Sequence, residues 1–146
     1  MGRTVVIGLG RRERRDDGIG FMLVEKLRRL CPGIEVYTVG DDLTEIIELV
    51  KDADHVIIID ASRRGERPGT ISKYSSKDLV EDAALSSHGL SLRDVLGMAD
   101  ALGLLKASLV IYAVEGGDFG YGEGLSEEVQ ESLETLLEEI RRELGC

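Results

Sequence analysis

The chain has no tryptophan, no asparagine, one glutamine and only two cysteines among 146 residues. Few amides together with a charged fraction of 32% is the profile of a heat-adapted protein, in which thermolabile side chains are scarce and ion pairs abundant. Cys31 and Cys146 lack the paired spacing of a structural zinc site, and in an intracellular chain both are expected as free thiols. No apolar run approaches the roughly 18 residues of a membrane helix, and the first residues enter a strand pattern without a signal-peptide layout. A soluble, cytoplasmic protein with no membrane partner is therefore expected. Neither a phosphate-binding P-loop nor a nucleophile-elbow serine is found. The formal charge of −10 argues against nonspecific attraction to nucleic acid.

What the chain does have is strand–helix alternation. Thr4 to Gly10 reads as a buried strand handing over to a helix, and Val56 to Ile59 is a continuous apolar run, the mark of a strand covered on both faces. Between them, Asp17 to Leu30 reads as a helix with Ile19, Leu23, Leu27 and Leu30 on one face, and Ile34 to Val39 as a short strand. Asp42 and Glu45 look like a capping box ahead of a helix carrying Leu43, Ile46, Ile47 and Val50. The third strand ends at Asp60. Thr70 to Tyr74 is a polar strand suited to a sheet margin, and Ser75 to Ala84 reads as a short helix. Leu92, Val95, Leu96, Ala99 and Leu102 mark a further helix, Ser108 to Val114 the last core strand, and Ser126 opens a terminal helix. The expected fold is α/β, a three-layer sandwich in one domain over residues 1–146, its twisted, mostly parallel sheet of about five strands covered by helices on both faces.

Parallel strands share one carboxyl edge, and ligands bind there. Asp17, after the first strand, and Asp60, at the end of the third, are brought to that edge, and His88 lies in a connection able to cover it. Two carboxylates and an imidazole suit a borderline metal such as zinc or nickel, with positions left for water or substrate. Each residue also has a plainer reading: Asp60 as a loop tie, Asp17 or more readily Asp16 as a helix cap, and His88 as a surface histidine. His55 enters the third strand at the opposite edge and reads as structural. Gly8, Leu9 and Gly10 begin like a dinucleotide fingerprint, but Glu13 stands where the third glycine belongs, which removes a nicotinamide or flavin site. Arg11, Arg12, Arg14 and Arg15 after the first strand, with Arg63, Arg64 and Arg67 after the third, would give an acidic protein a basic mouth, or else form solvated loops.

Taken in order, Gly8-Leu9-Gly10, Asp16-Asp17-Gly18-Ile19-Gly20, Ile59-Asp60-Ala61, Pro68-Gly69-Thr70, Ser87-His88-Gly89-Leu90 and Gly124-Leu125-Ser126 resemble the nickel-iron hydrogenase maturation endopeptidases along nearly the whole chain. The resemblance implies a protease that removes a short C-terminal extension from the hydrogenase large-subunit precursor once nickel has been inserted. It implies that Asp17, Asp60 and His88 are both metal-binding and catalytic, and that the nickel arrives with the precursor, another divalent metal serving as surrogate. A monomer is expected. Three differences stand out: Arg11 where members usually have Asn, Thr38-Val39-Gly40 where many have Asp-Gly-Gly, and a highly charged Arg-Glu-Arg-Arg insert. The alternative is a noncatalytic module that binds an anion or phosphorylated ligand at the same edge through its arginines.

Overall fold

A computed structural model describes residues 2–75 and 91–146. Strand β1 (Thr4–Leu9) leads through a 3-10 turn (Arg15–Gly18) into α1 (Ile19–Leu30). Then come β2 (Glu35–Val39), α2 (Glu45–Val50), β3 (His55–Ser62), β4 (Ile71–Ser75), α3 (Leu92–Ala101), β5 (Ser108–Glu115) and α4 (Glu127–Leu144). Across the sheet the order is β2-β1-β3-β5-β4. The first four strands in that order are mutually parallel, and β4 lies antiparallel to β5 at the margin, where its polar sequence placed it.

Alternation along the strands decides the layering. Val5, Ile7 and Leu9 of β1 with Val56 and Ile58 of β3 meet α2 and α3 on one face, while Val6, Ile57 and Ile59 meet α1 and α4 on the other. Ile58 and Ile59 are wholly buried, and burial of each contributes roughly 1.5–3 kcal/mol. The last turn of β3 is therefore a rigid base for whatever follows it. No helix among the described residues is long and apolar enough to cross a membrane.

Local expectations fail where a long-range contact takes over. The third strand continues past Asp60 to Ser62, because β5 pairs with it up to Glu115. Leu30 and Leu102, expected on apolar faces, are 46% and 66% exposed, each at the end of its helix and beyond that helix's buried positions. No side chain caps α2; Asp42 instead accepts from the Thr44 amide, closing a turn before the helix. A capping box does form on α3, between Ser91 and Asp94. The helix expected over Ser75 to Ala84 falls, beyond Ser75, outside the described residues.

The expectation of two free thiols is corrected: Cys31 and Cys146 form a disulfide, with Cα atoms 5.8 Å apart. Helices α1 and α4 pack against one another on the same face of the sheet. Cys31 is the C-cap of α1, and Cys146 follows the left-handed Gly145 that ends α4, so the two helix ends meet.

Candidate active site

The loops after β1, β3 and β5 all leave the carboxyl edge of the sheet, and four buried or half-buried acids stand there: Asp16 and Asp17 in the turn after β1, Asp60 near the end of β3 and Glu115 at the end of β5. Asp17 lies in the 3-10 turn. That turn is pressed onto the strands: a Cβ on Gly20 would lie 2.6 Å from the carbonyl oxygens of Ile59 and Leu9. Gly10, at φ +112°, turns the chain so closely past Asp17 that a Cβ would lie 2.0 Å from its carbonyl oxygen. The Arg11 amide donates to Asp17 Oδ2 at 3.0 Å. Because this bond uses the backbone, the arginine at position 11 leaves the anchoring of Asp17 intact.

Asp60 is buried at the end of β3, 5% exposed. Its Oδ1 accepts from the Ala61 amide at 2.8 Å, whereas its Oδ2 is buried with no hydrogen-bond partner among the described residues. Burial, and then the charge of Asp17 nearby, push its carboxyl from an ordinary 3.8 up to about 7 against the pull of the Ala61 amide. The two remaining buried acids differ from it. Glu115 accepts from the Ser62 hydroxyl and from the Arg64 and Gly65 amides. Asp16 accepts from the amides of Gly117, Asp118 and Ser126 and from the Ser126 hydroxyl, at 2.7–2.9 Å. Asp60 is the acid left with an unanswered oxygen.

Asp16 thus does not cap α1, whose N-cap is Gly18 with no side-chain bond. It ties the β5–α4 loop to the turn that carries Asp17. Burial pushes its carboxyl up, but the Ser126, Gly117 and Asp118 amides and the Ser126 hydroxyl together hold it below the ordinary value of 3.8. Its stabilisation is therefore present above that pH and lost as the pH falls through the lowered value. Asp16→Asn is expected to destabilise the fold by about 2–4 kcal/mol at pH 7, since charge-assisted bonds are weakened and one amide group faces donors. Urea unfolding read by circular dichroism checks this, and the difference should shrink below pH 4.

Neither Asp16 nor Glu115 was assigned its role from sequence. Glu115 carried the same signal as Asp60, an acid ending a buried strand. Asp16 differs from Asp17 only in the direction its side chain takes.

The basic mouth is partly neutralised from within. Arg11 pairs with Asp41, Arg12 with Glu123 at 3.2 Å, and Arg64 reaches Glu66 at 4.0 Å. Arg14 and Arg63 lie against aromatic rings. The ion pairs thus account for Arg11, Arg12 and Arg64, whereas Arg14 and Arg63 meet rings and no carboxylate among the described residues. His55 sits at the opposite edge, as expected, with Nδ1 2.7 Å from the Ser108 hydroxyl. His88 lies outside the described residues, and among those described no cluster of three His, Cys, Asp or Glu side chains is placed to hold an ion.

Asp17 and Asp60 nevertheless suit a divalent cation. A cation would answer the orphaned Asp60 oxygen and cancel the repulsion between the two carboxylates. No thiolate is available for covalent catalysis, both cysteines being oxidised, and Ser62 is committed to Glu115.

A family model described as "Hydrogenase maturation protease" matches residues 22–143. The hydrogenase expression/formation protein HupM of Azotobacter chroococcum mcd 1 is 26% identical over 140 residues, 91% of this chain and 67% of that protein, so the chain spans about two thirds of its length. The hydrogenase 2 maturation protease of Escherichia coli strain K12 is 28% identical over 144 residues, 94% of this chain and 88% of that one. The solved structure of the hydrogenase maturating endopeptidase HybD from Escherichia coli matches with a TM-score of 0.83 at 27% identity, over 98% of this chain and 94% of that one.

Proposed function

The chain belongs to the hydrogenase maturation protease family, and from that premise we propose that it cuts a C-terminal extension from a nickel-loaded hydrogenase large-subunit precursor, in the cytoplasm and as a monomer. Asp17, Asp60 and His88 recognise the nickel that the precursor carries, so that only a metal-loaded substrate is seated. The observation that supports this reading is Asp60: a buried carboxylate with one oxygen unanswered, beside a second carboxylate, at the edge where parallel α/β sheets bind ligands.

The chemistry is of the carboxylate type. Asp17 and Asp60 would hold the substrate's metal, which would supply Lewis-acid polarisation of the scissile carbonyl, and a carboxylate of the pair would take the proton of the attacking water and return it to the departing amine.

The experiment is incubation of the purified protein with candidate precursors, each with and without nickel, followed by intact mass measurement. Loss of a C-terminal fragment from the loaded form alone is the expected result; cutting that ignores nickel would remove the recognition role. His88→Ala is expected to abolish processing of the nickel-loaded precursor. Undiminished cleavage would take His88 out of the mechanism.

A further inference from the structure

Two guanidinium groups on the loops that follow β1 and β3 are fixed in place with no carboxylate among the described residues to neutralise them. Arg63 follows Asp60 on the β3 loop, and its guanidinium carbon lies 3.8 Å from the centre of the Phe119 ring. Arg14 donates from Nε to the Phe119 carbonyl oxygen at 3.1 Å and sits 4.5 Å over the ring of Tyr121, itself 82% exposed. Phe119 is anchored in turn. Its ring packs against the core under α1 and α4, and a Cβ on Gly116 would lie 2.4 Å from that ring and 3.0 Å from Asp16 Cβ. Residue 119 thus holds one guanidinium on its ring and another on its carbonyl, directly beside the turn that carries Asp17.

The contrast with other arginines is chemical. Arg3, Arg11, Arg12 and Arg28 each pair with an Asp or Glu. In a chain with 28 acids and a net charge of −10, Arg14 and Arg63 meet none within ion-pair distance among the described residues. An aromatic face behind a guanidinium restricts its rotamers while leaving its N–H groups to a planar anion, so the ordering entropy of binding is already reduced.

We propose that Arg14 and Arg63 form a clamp for the α-carboxylate at the end of the substrate's C-terminal extension. The proposal rests on the maturation-protease reading and adds a specificity element to it. The reaction itself supplies the occupant. A protease that trims a C-terminal extension always has a chain-end carboxylate on the released side of the scissile bond, whatever side chains the extension contains. Arginine forks bind such a group through paired N–H donors.

The test changes the substrate first. A peptide spanning the extension is made as the free acid and as the carboxamide, each is titrated against the full chain, and nickel-loaded precursors with the same two ends are processed. The carboxamide is expected to bind about tenfold more weakly and to raise KM with kcat nearly unchanged. Arg63→Gln should bring the two ends to equal affinity.

Equal binding of the two peptides by the unaltered protein overturns the clamp, as does discrimination that survives both Arg14→Gln and Arg63→Gln. A loss obtained only by neutralising an acidic side chain within the extension, and not by amidating its end, also overturns it. Equal processing of both precursors removes the clamp and leaves the protease. Processing of neither, with acid-selective peptide binding retained, removes the protease reading and leaves the clamp.

Discussion

Asp60→Asn is expected to make the metal-free protein more stable at neutral pH and inactive in processing. The sign follows from the direction of the shift. Unfolded, the Asp60 carboxyl titrates near 3.8; folded, burial and the neighbouring Asp17 raise it to about 7. The unfolded chain therefore loses its proton first, and stability falls as pH rises from about 4 to about 7, then levels off. Three units of difference correspond to on the order of 4 kcal/mol. Asn at position 60 imitates the protonated acid and escapes the penalty. The variant should match the native chain below pH 4 and exceed it by on the order of 4 kcal/mol above pH 7 in denaturant unfolding. A variant no more stable than the native chain at pH 7.5 would mean that the carboxylate is not held in an unfavourable setting. Loss of processing together with a gain in stability is the signature of a group retained for function at the expense of the fold.

Reduction of the Cys31–Cys146 bond has the second large effect, in the opposite direction. The bond closes a loop of 115 residues, nearly the whole chain. On the chain-entropy account, a loop of about 100 residues gives about 4.7 kcal/mol, and removal of native disulfides typically costs about 2–5 kcal/mol. Addition of a reductant, or Cys146→Ser, is expected to lower stability by about 3–5 kcal/mol. With no other disulfide in the chain, reductant should leave Cys146→Ser unchanged. Coincident unfolding curves for the oxidised and reduced native chain would show that the link contributes nothing. In the cytoplasmic setting proposed above, a structural disulfide would be unusual except in heat-adapted organisms, and the scarcity of Asn and Gln agrees with such a source.

The disulfide also marks what a linear reading cannot reach. Strands β1, β3 and β5 were legible because a buried parallel strand must be apolar at every position, and β4 because an edge strand tolerates polar residues. Asp60 was legible as the acid ending such a strand. Cys31 and Cys146 carried no local pattern, since their meeting depends on α1 and α4 packing on the same face and ending at the same level. Asp16 was read as a cap because capping is a local rule, whereas its four donors come from residues 117–126, on the far side of the chain. Arginine clusters looked like a free basic surface because their partners, Asp41, Glu123 and the rings of Phe119 and Tyr121, lie in other loops. Contacts of this kind are set by topology, and sequence discloses them only after the topology is known.

The Asp17 and Asp60 carboxylates, with His88, are proposed to seat the metal of the substrate. A crystal structure grown with cadmium as a nickel surrogate reads the ligands directly. The account predicts one ion at the carboxyl edge of the sheet, bound by Asp17 and by the Asp60 oxygen that lacks a hydrogen bond, with the His88 imidazole as third ligand. An ion bound elsewhere, with the Asp60 side chain still buried and uncoordinated, would contradict it.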